Sequence, residues 1–193
     1  MSGVWLANTA KASWRKKLVA QQLRLLDPGT AIKPKKRFPI YLIAENVYDT
    51  YNIGGLFRLA EAFALSGLLL CGDMEIPPNS RIAKASIGTY KIVPWEYYTT
   101  VSDSINNLKN MHRDLQIIAI EQTKKAVTYS TITYKTPLAL IVGNETFGVS
   151  DEALSLCDAH GVIPMHGVNT SLNVIVAAGI VLGHVFETIE LKS

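Results

Sequence analysis

From residue 39 onward, short apolar segments alternate with segments of helical periodicity, and this alternation constrains the fold more than any other feature of the chain. Strands that alternate with helices are typical of a mostly parallel sheet covered by helices on both faces. The sequence therefore predicts one α/β domain with about six strands. We expect these strands at residues 40–44, 68–71, 92–94, 115–120, 138–142 and 161–164.

The segments between the predicted strands carry apolar residues three and four positions apart, which indicates helices. The last of them is apolar nearly all the way round, so it cannot present one side to water as surface helices do. We expect it to lie in the core or in a subunit interface. The helices are predicted at residues 53–65, 102–111, 150–157 and 171–189, with a short helical turn at 80–85.

The formal charge of +3 conceals a strongly basic N-terminal segment. Residues 1–37 contain nine lysines and arginines and one acidic residue, so they carry 9 − 1 = +8 and the remainder carries −5. We interpret residues 1–37 as a basic helix, at 9–26, with a linker, and residues 38–193 as the folded domain. Counterion release favours a polyanionic partner, but a helix and linker that are merely solvated explain the charge equally well.

Several functional classes lack support in the sequence. Cys71 and Cys157 form no C-x-x-C pair, which indicates free thiols in a reducing compartment, and we expect a cytoplasmic protein. The longest apolar stretch falls short of the ~20 residues that span a bilayer, and the N-terminus has no apolar signal-peptide core. The four histidines lack metal-ligand spacing, and no glycine-rich phosphate motif occurs, so we expect no membrane, metal, nicotinamide or ATP site.

Ligands of open α/β sheets bind beyond the carboxyl ends of the strands, and a polar cluster follows the first predicted strand at that position. Asn52 is placed to cap the next helix, and Arg58 projects roughly 160° from the centre of that helix's apolar stripe. Taken alone, a capped helix with a surface arginine explains this cluster better than a binding site does.

Two further clusters follow later strands. Segment 143–148 begins and ends with glycine, which lets the backbone approach a ligand closely. In segment 163–173, Ser171 suits the cap of the last helix, whose free N–H groups attract anions, although a plain cap is an equally simple explanation. A shared site is favoured because all three clusters lie where a strand is followed by a helix.

Together the clusters resemble the three motifs of the SpoU family of RNA 2′-O-methyltransferases, within the SPOUT superfamily. The matching residues are, in chain order, Asn52-Ile53-Gly54-Gly55 with Arg58, then Ile141-Val142-Gly143-Asn144-Glu145 with Gly148, then Ile163-Pro164-Met165 with Gly167, Ser171-Leu172-Asn173-Val174 and Ala177-Ala178. Any one motif is weak evidence, but three at suitable spacing make a chance match improbable.

The resemblance implies S-adenosylmethionine as cofactor, methyl transfer to a ribose 2′-hydroxyl of tRNA or rRNA, a C-terminal trefoil knot and a homodimer packed through the first and last helices. It assigns Arg58 to the 2′-hydroxyl. Because the pKa of arginine lies above 12, we expect Arg58 to stabilise negative charge and orient the ribose rather than act as a base. The other residues it assigns to the reaction site are Asn52, Glu145, Ser171 and Asn173, and those assigned to the cofactor are Ile120, Gly143, Ile163, Met165, Ser171 and Leu172.

Two alternatives stay open on the same fold: an RNA base methyltransferase and a non-catalytic RNA-binding protein. The enzyme hypothesis depends on one arrangement, in which Arg58, the Gly143 loop and the Ser171 turn converge around a single bound methyl donor.

Overall fold

The computed structural model describes residues 20–26 and 36–190. Its elements are α1 (Ala20–Arg24), β1 (Phe38–Glu45), α2 (Thr50–Ala62), β2 (Leu65–Cys71), α3 (Ser80–Ala85), a 3-10 helix (Thr89–Lys91), β3 (Trp95–Tyr98), α4 (Val101–Met111), β4 (Gln116–Ile120), β5 (Val127–Thr128), a second 3-10 helix (Tyr129–Thr131), β6 (Leu138–Val142), α5 (Asp151–Ser155), β7 (Ala159–Val162) and α6 (Val174–Glu190). The strands form one sheet in the order β3-β2-β1-β6-β4-β7-β5. All their pairings are parallel.

The central strands are buried on both faces because helices pack on each side of the sheet. β6 is buried at every position. In β1, Leu42 and Ala44 pack into the layer that contains α2, α3 and α6, whereas Ile43 packs into the layer that contains α4 and α5. The predicted α/β fold with a mostly parallel sheet and helices on both faces is confirmed.

One strand prediction was wrong, and one strand was missed. Residues 92–94 are not a strand, because Val93 donates its N–H to the Thr89 carbonyl and closes the turn after the 3-10 helix. The side chain of Val93 is buried there, so its apolar character belongs to a turn that packs on the core. The strand itself begins at Trp95. Strand β5 was missed, because its two residues leave no periodic pattern to recognise; the sheet has seven strands, where about six were expected.

Two helices begin elsewhere than predicted, so two cap assignments were wrong. Asp49 caps α2 by accepting a hydrogen bond from Tyr51 N, and Asn52 lies inside the first turn of that helix. Ser171 does not cap α6, which begins at Val174. Asn173 stands at that start and its Oδ1 accepts from Ile175 N at 2.9 Å.

The N-terminal segment meets the domain at two described points. Lys91 Nζ donates to the carbonyls of Arg24 and Leu26, at 3.1 and 2.5 Å. Arg37 donates to Glu61 and to the carbonyls of Leu65 and Ile92, so its charge is used inside the fold. The predicted helix at 9–26 ends as α1. The rest of that segment, residues 1–19 and 27–35, lies outside the described residues, so the division at residue 37 stays a prediction.

Both cysteines are free thiols, and burial raises the pKa of Cys71 to about 11 and that of Cys157 to about 12. Protonated thiols are poor nucleophiles, so neither is suited to covalent catalysis at neutral pH. None of the described helices is long and apolar enough to cross a membrane. The trefoil knot stays a prediction.

Candidate active site

A cavity of about 340 Å³ opens at the carboxyl ends of three adjacent strands, β6, β4 and β7. This is the edge at which parallel sheets bind ligands. Three segments contribute most of its wall: the ends of β4 and β6 with the loops that follow them, and the long connection from β7 to α6. The lining residues are Ile120, Glu121, Gln122, Val142, Gly143, Asn144, Glu145, Thr146, Phe147, Gly148, Gly161, Val162, Ile163, Met165, Thr170, Ser171, Leu172, Val174 and Ala177.

The loop after β6, residues 143–149, is closed on itself. The main chains of Asn144 and Gly148 exchange two hydrogen bonds, at 3.1 and 2.8 Å. The side-chain oxygen of Asn144, which is buried, also accepts from Thr146 N and Phe147 N. A Cβ on Gly143 would lie 2.2 Å from the Gly148 backbone, so only glycine permits this closure.

Two carboxylates hold the same loop from neighbouring strands. Glu121, after β4, accepts from Val149 N at 2.8 Å, and Glu45, at the end of β1, accepts from Ser150 N and Oγ at 2.9 and 2.6 Å. Gly148 approaches the Glu121 carboxylate in a left-handed conformation, with φ of 69°. Sequence reasoning missed the role of Glu121, although a charged residue directly after a buried strand was a usable signal.

The connection from β7 to α6 is held differently. Residues 164–168 make no hydrogen bond to any other described residue. Further along, Gln122 Nε2 donates to the Thr170 carbonyl at 2.7 Å, and Ser171 N donates to Asn169 at 3.4 Å. Of residues 164–168, Met165 lines the cavity, so its main-chain groups are available to a ligand there.

Three polar side chains from the three motifs meet beside the cavity. Asn52 Nδ2 donates to Glu145 Oε1, and Asn173 Nδ2 donates to Asn52 Oδ1 at 2.9 Å. Asn52 is only 7% exposed, so its amide is held in one orientation by both partners. We call Asn52, Glu145 and Asn173 the amide triad.

Some of the predicted site residues line the cavity, and others do not. All six assigned to a cofactor line the cavity, as does Glu145. Asn52 and Asn173 do not line the cavity themselves. They are linked by hydrogen bonds to Glu145, which does. Arg58 is exposed on α2, does not line the cavity and makes no hydrogen bond within the described part of the chain. The Gly143 loop and the Ser171 turn thus line one cavity, whereas Arg58 does not join them within the described chain.

The charge of the lining limits what can bind. Glu121 and Glu145 are its ionisable side chains, and it holds no lysine or arginine. Carboxylates favour a ligand with positive charge and oppose one rich in phosphate. Across the described residues, no group of three or more histidine, cysteine, aspartate or glutamate side chains could hold a metal ion.

Comparison with known proteins agrees with this geometry. Residues 39–183 match the model of the SpoU rRNA Methylase family. The tRNA (guanosine(18)-2'-O)-methyltransferase of Escherichia coli strain K12 is 31% identical over 141 residues, which are 72% of this chain and 58% of that enzyme.

Two solved structures share the fold. The A. aeolicus TrmH/SpoU tRNA modifying enzyme superposes with a TM-score of 0.72 at 30% identity, covering 90% of this chain and 83% of that one. The AdoMet-bound rRNA methyltransferase from Sinorhizobium meliloti gives a TM-score of 0.72 at 28% identity, covering 86% and 60%. The chain spans between 58% and 61% of the length of the first curated relatives that it matches.

Proposed function

The chain belongs to the SpoU rRNA Methylase family, and from this premise we propose that it transfers a methyl group from S-adenosylmethionine to a ribose 2′-hydroxyl of tRNA or rRNA. One observation carries the proposal: the amide triad joins all three family motifs by hydrogen bonds at the mouth of a ligand-sized cavity. The relatives act on both tRNA and rRNA by their names, so either RNA is a candidate substrate. The site of action we propose is the cytoplasm, where both RNAs are found.

The cavity suits S-adenosylmethionine in size, polarity and charge. Its volume of about 340 Å³ falls in the range of small-molecule sites, roughly 300–1,000 Å³. Ile120, Ile163 and Leu172 supply apolar contacts for an adenine ring, and the main chain of Met165 supplies a donor and an acceptor for its edge. Glu121 and Glu145 favour the positive sulfonium.

The residues of the chain have to place the ribose and manage one proton. S-adenosylmethionine, when bound, supplies an electrophilic methyl group to the 2′-oxygen in an in-line displacement. The amide triad orients the nucleotide, since Asn52 and Asn173 hold each other's amides fixed beside the cavity. Ser171, on the cavity wall, is placed to hold the adjacent phosphate. The 2′-hydroxyl proton leaves as the oxygen attacks, and we propose that this phosphate assists its removal.

We propose that Arg58 acts in a homodimer. Val176 and Ile180 are 47% and 37% exposed, one turn apart on α6, and we propose that a second copy of the chain covers them. Arg58 lies three residues after Gly55, which contacts Ile175 of α6. Arg58 is exposed on the helix that packs against α6, and we propose that in the dimer its guanidinium stabilises the negative charge that develops on the 2′-oxygen.

The decisive experiment combines the purified protein with S-adenosylmethionine and bulk tRNA or rRNA, followed by nucleoside mass spectrometry. We expect 2′-O-methylnucleosides. In Asn52→Ala, methyl transfer should fall about a hundredfold, in the range of a lost positioning contact, while cofactor affinity changes little. Asn106→Ala, an exposed change on α4, which contributes nothing to the cavity, should keep full activity.

Other outcomes of that assay would overturn the proposal. Methyl groups on bases would identify a base methyltransferase. RNA binding without methyl transfer or cofactor binding would identify a non-catalytic RNA-binding protein.

A further inference from the structure

Exposed aromatic side chains occur close in sequence to members of the amide triad. Among residues 20–26 and 36–190, four aromatic side chains are exposed: Tyr48, Tyr51, Tyr97 and Phe147. The hydroxyl of Tyr97 is used in the fold, since it donates to the Gly72 carbonyl. The other three lie within four residues of a triad member in the sequence. Tyr51 directly precedes Asn52, and Phe147 follows Glu145 by two positions.

The backbone under these rings is fixed by the fold. Tyr51 stands in the first turn of α2, where its N–H donates to the capping Asp49 at 2.8 Å. Phe147 N donates to the buried Asn144 side chain at 3.0 Å. Even so, the Tyr51 side chain is 58% exposed and that of Phe147 is 80% exposed. The two rings are therefore exposed to solvent within two residues, along the chain, of the Asn52 and Glu145 side chains that hydrogen-bond to each other.

The charge of the neighbouring surface disfavours phosphate. Tyr48 lines a second cavity, of about 440 Å³, whose ionisable groups besides tyrosine are Asp49, Glu75 and Arg81. Their sum is one positive and two negative charges, or −1. A polyanion backbone gains nothing from such a surface, whereas the flat face of a nucleobase stacks on an aromatic ring without needing a charge.

A protein partner is less well matched. The neighbours of the rings along the chain include the exposed polar residues Asp49 and Thr146, so the sequence gives no continuous apolar patch of the kind that protein interfaces bury. The exposed apolar face of α6 is a better candidate for that role.

We propose that Tyr51 and Phe147, with Tyr48 beside them, form a stacking surface for the unpaired bases that flank the methylated nucleotide. The inference rests on the proposed function, because it takes the substrate to be RNA. Base stacking is tolerant of sequence and requires single-stranded RNA. The surface would thus select an unpaired target segment and hold its ribose against the amide triad.

Fluorescence titration tests the proposal with an unstructured RNA of about ten nucleotides that carries a single 2-aminopurine, a length typical of single-strand sites. Binding of the wild-type protein should quench the probe through stacking. Replacing both rings, in Tyr51→Leu with Phe147→Leu, should weaken binding by at least about tenfold and abolish the quenching. Tyr51→Phe with Phe147→Tyr keeps both rings and should bind within about twofold of wild type.

Two further readouts exclude a different role for the rings. The dependence of RNA affinity on salt should be the same in wild type and in the leucine variant, because no phosphate contact is lost. The sedimentation coefficient should also be the same, because the rings do not join two copies of the chain.

Each result bears on one hypothesis. Leucine variants that bind RNA as tightly as wild type, an unquenched probe, or a changed sedimentation coefficient would overturn the stacking surface. A wild-type protein that binds and quenches the RNA but transfers no methyl group would overturn the proposed function and leave the stacking surface standing.

Discussion

Two segments enclose the same cavity, and they are held in opposite ways. In loop 143–149, backbone N–H groups donate to the side chains of Asn144 and Glu121, and Ser150, directly after the loop, donates to Glu45. Connection 163–172 includes five residues, 164–168, without a hydrogen bond to another described residue. One wall of the site is therefore held by the fold before a ligand arrives, whereas the other includes exposed backbone groups that bond to no other described residue.

This difference indicates a division of labour. A wall fixed by the fold binds without a further ordering cost, so it can place reacting groups accurately. A wall whose exposed backbone groups bond to water exchanges those bonds for bonds to the ligand, so binding should order it. We therefore expect loop 143–149 to be sensitive to any change of backbone shape, and connection 163–172 to be tolerant of small changes.

The largest effect is expected from Gly143→Ala. The added Cβ would lie 2.2 Å from the Gly148 carbonyl group and 2.4 Å from Val149 N, and all of these are backbone atoms that cannot rotate away. Cofactor affinity measured by calorimetry should fall at least about a hundredfold, or ~3 kcal/mol. The matched control is Gly167→Ala in the other wall, where a Cβ meets nothing within 4 Å.

The two glycine variants test whether the two walls of the cavity differ. If Gly167→Ala weakened binding as much as Gly143→Ala, the two walls would not differ in the way described.

A smaller effect is expected from Gln122→Ala. It removes the bond from Gln122 Nε2 to the Thr170 carbonyl, one of the few that hold connection 163–172. A neutral hydrogen bond is worth about 1 kcal/mol, so cofactor affinity should fall about threefold to tenfold while the melting temperature stays near wild type. The Asn106→Ala protein is the control, and a loss as large as that of Gly143→Ala would contradict the account.

The two walls also differ in how far the sequence predicted them. Pattern alone placed β6, because a buried parallel strand appears as an unbroken apolar run such as residues 138–142. It misplaced β3, because the apolar Ile92 and Val93 imitate a strand while packing in a turn. The distinction between a packed turn and a strand depends on contacts that are distant in sequence.

The same limit applies to the site. Seven of the residues that line the cavity were assigned to the site from the family resemblance, whereas Glu121 and Gln122 were not. The amide triad was not predicted as a network, since Asn52 lies 93 residues from Glu145 and 121 from Asn173. Local periodicity contains no information on such pairs. Arg58 was placed correctly on the outer side of α2, but its distance from the cavity depends on tertiary packing.

Hydrogen–deuterium exchange with and without S-adenosylmethionine tests the central claim most directly, because it reports on both walls at once. The account predicts strong protection of peptides from residues 163–172 upon cofactor binding. Peptides from residues 143–149 should exchange slowly in both states. Protection at some other surface, or none in connection 163–172 at saturating cofactor, would contradict the assignment of this cavity as the cofactor site.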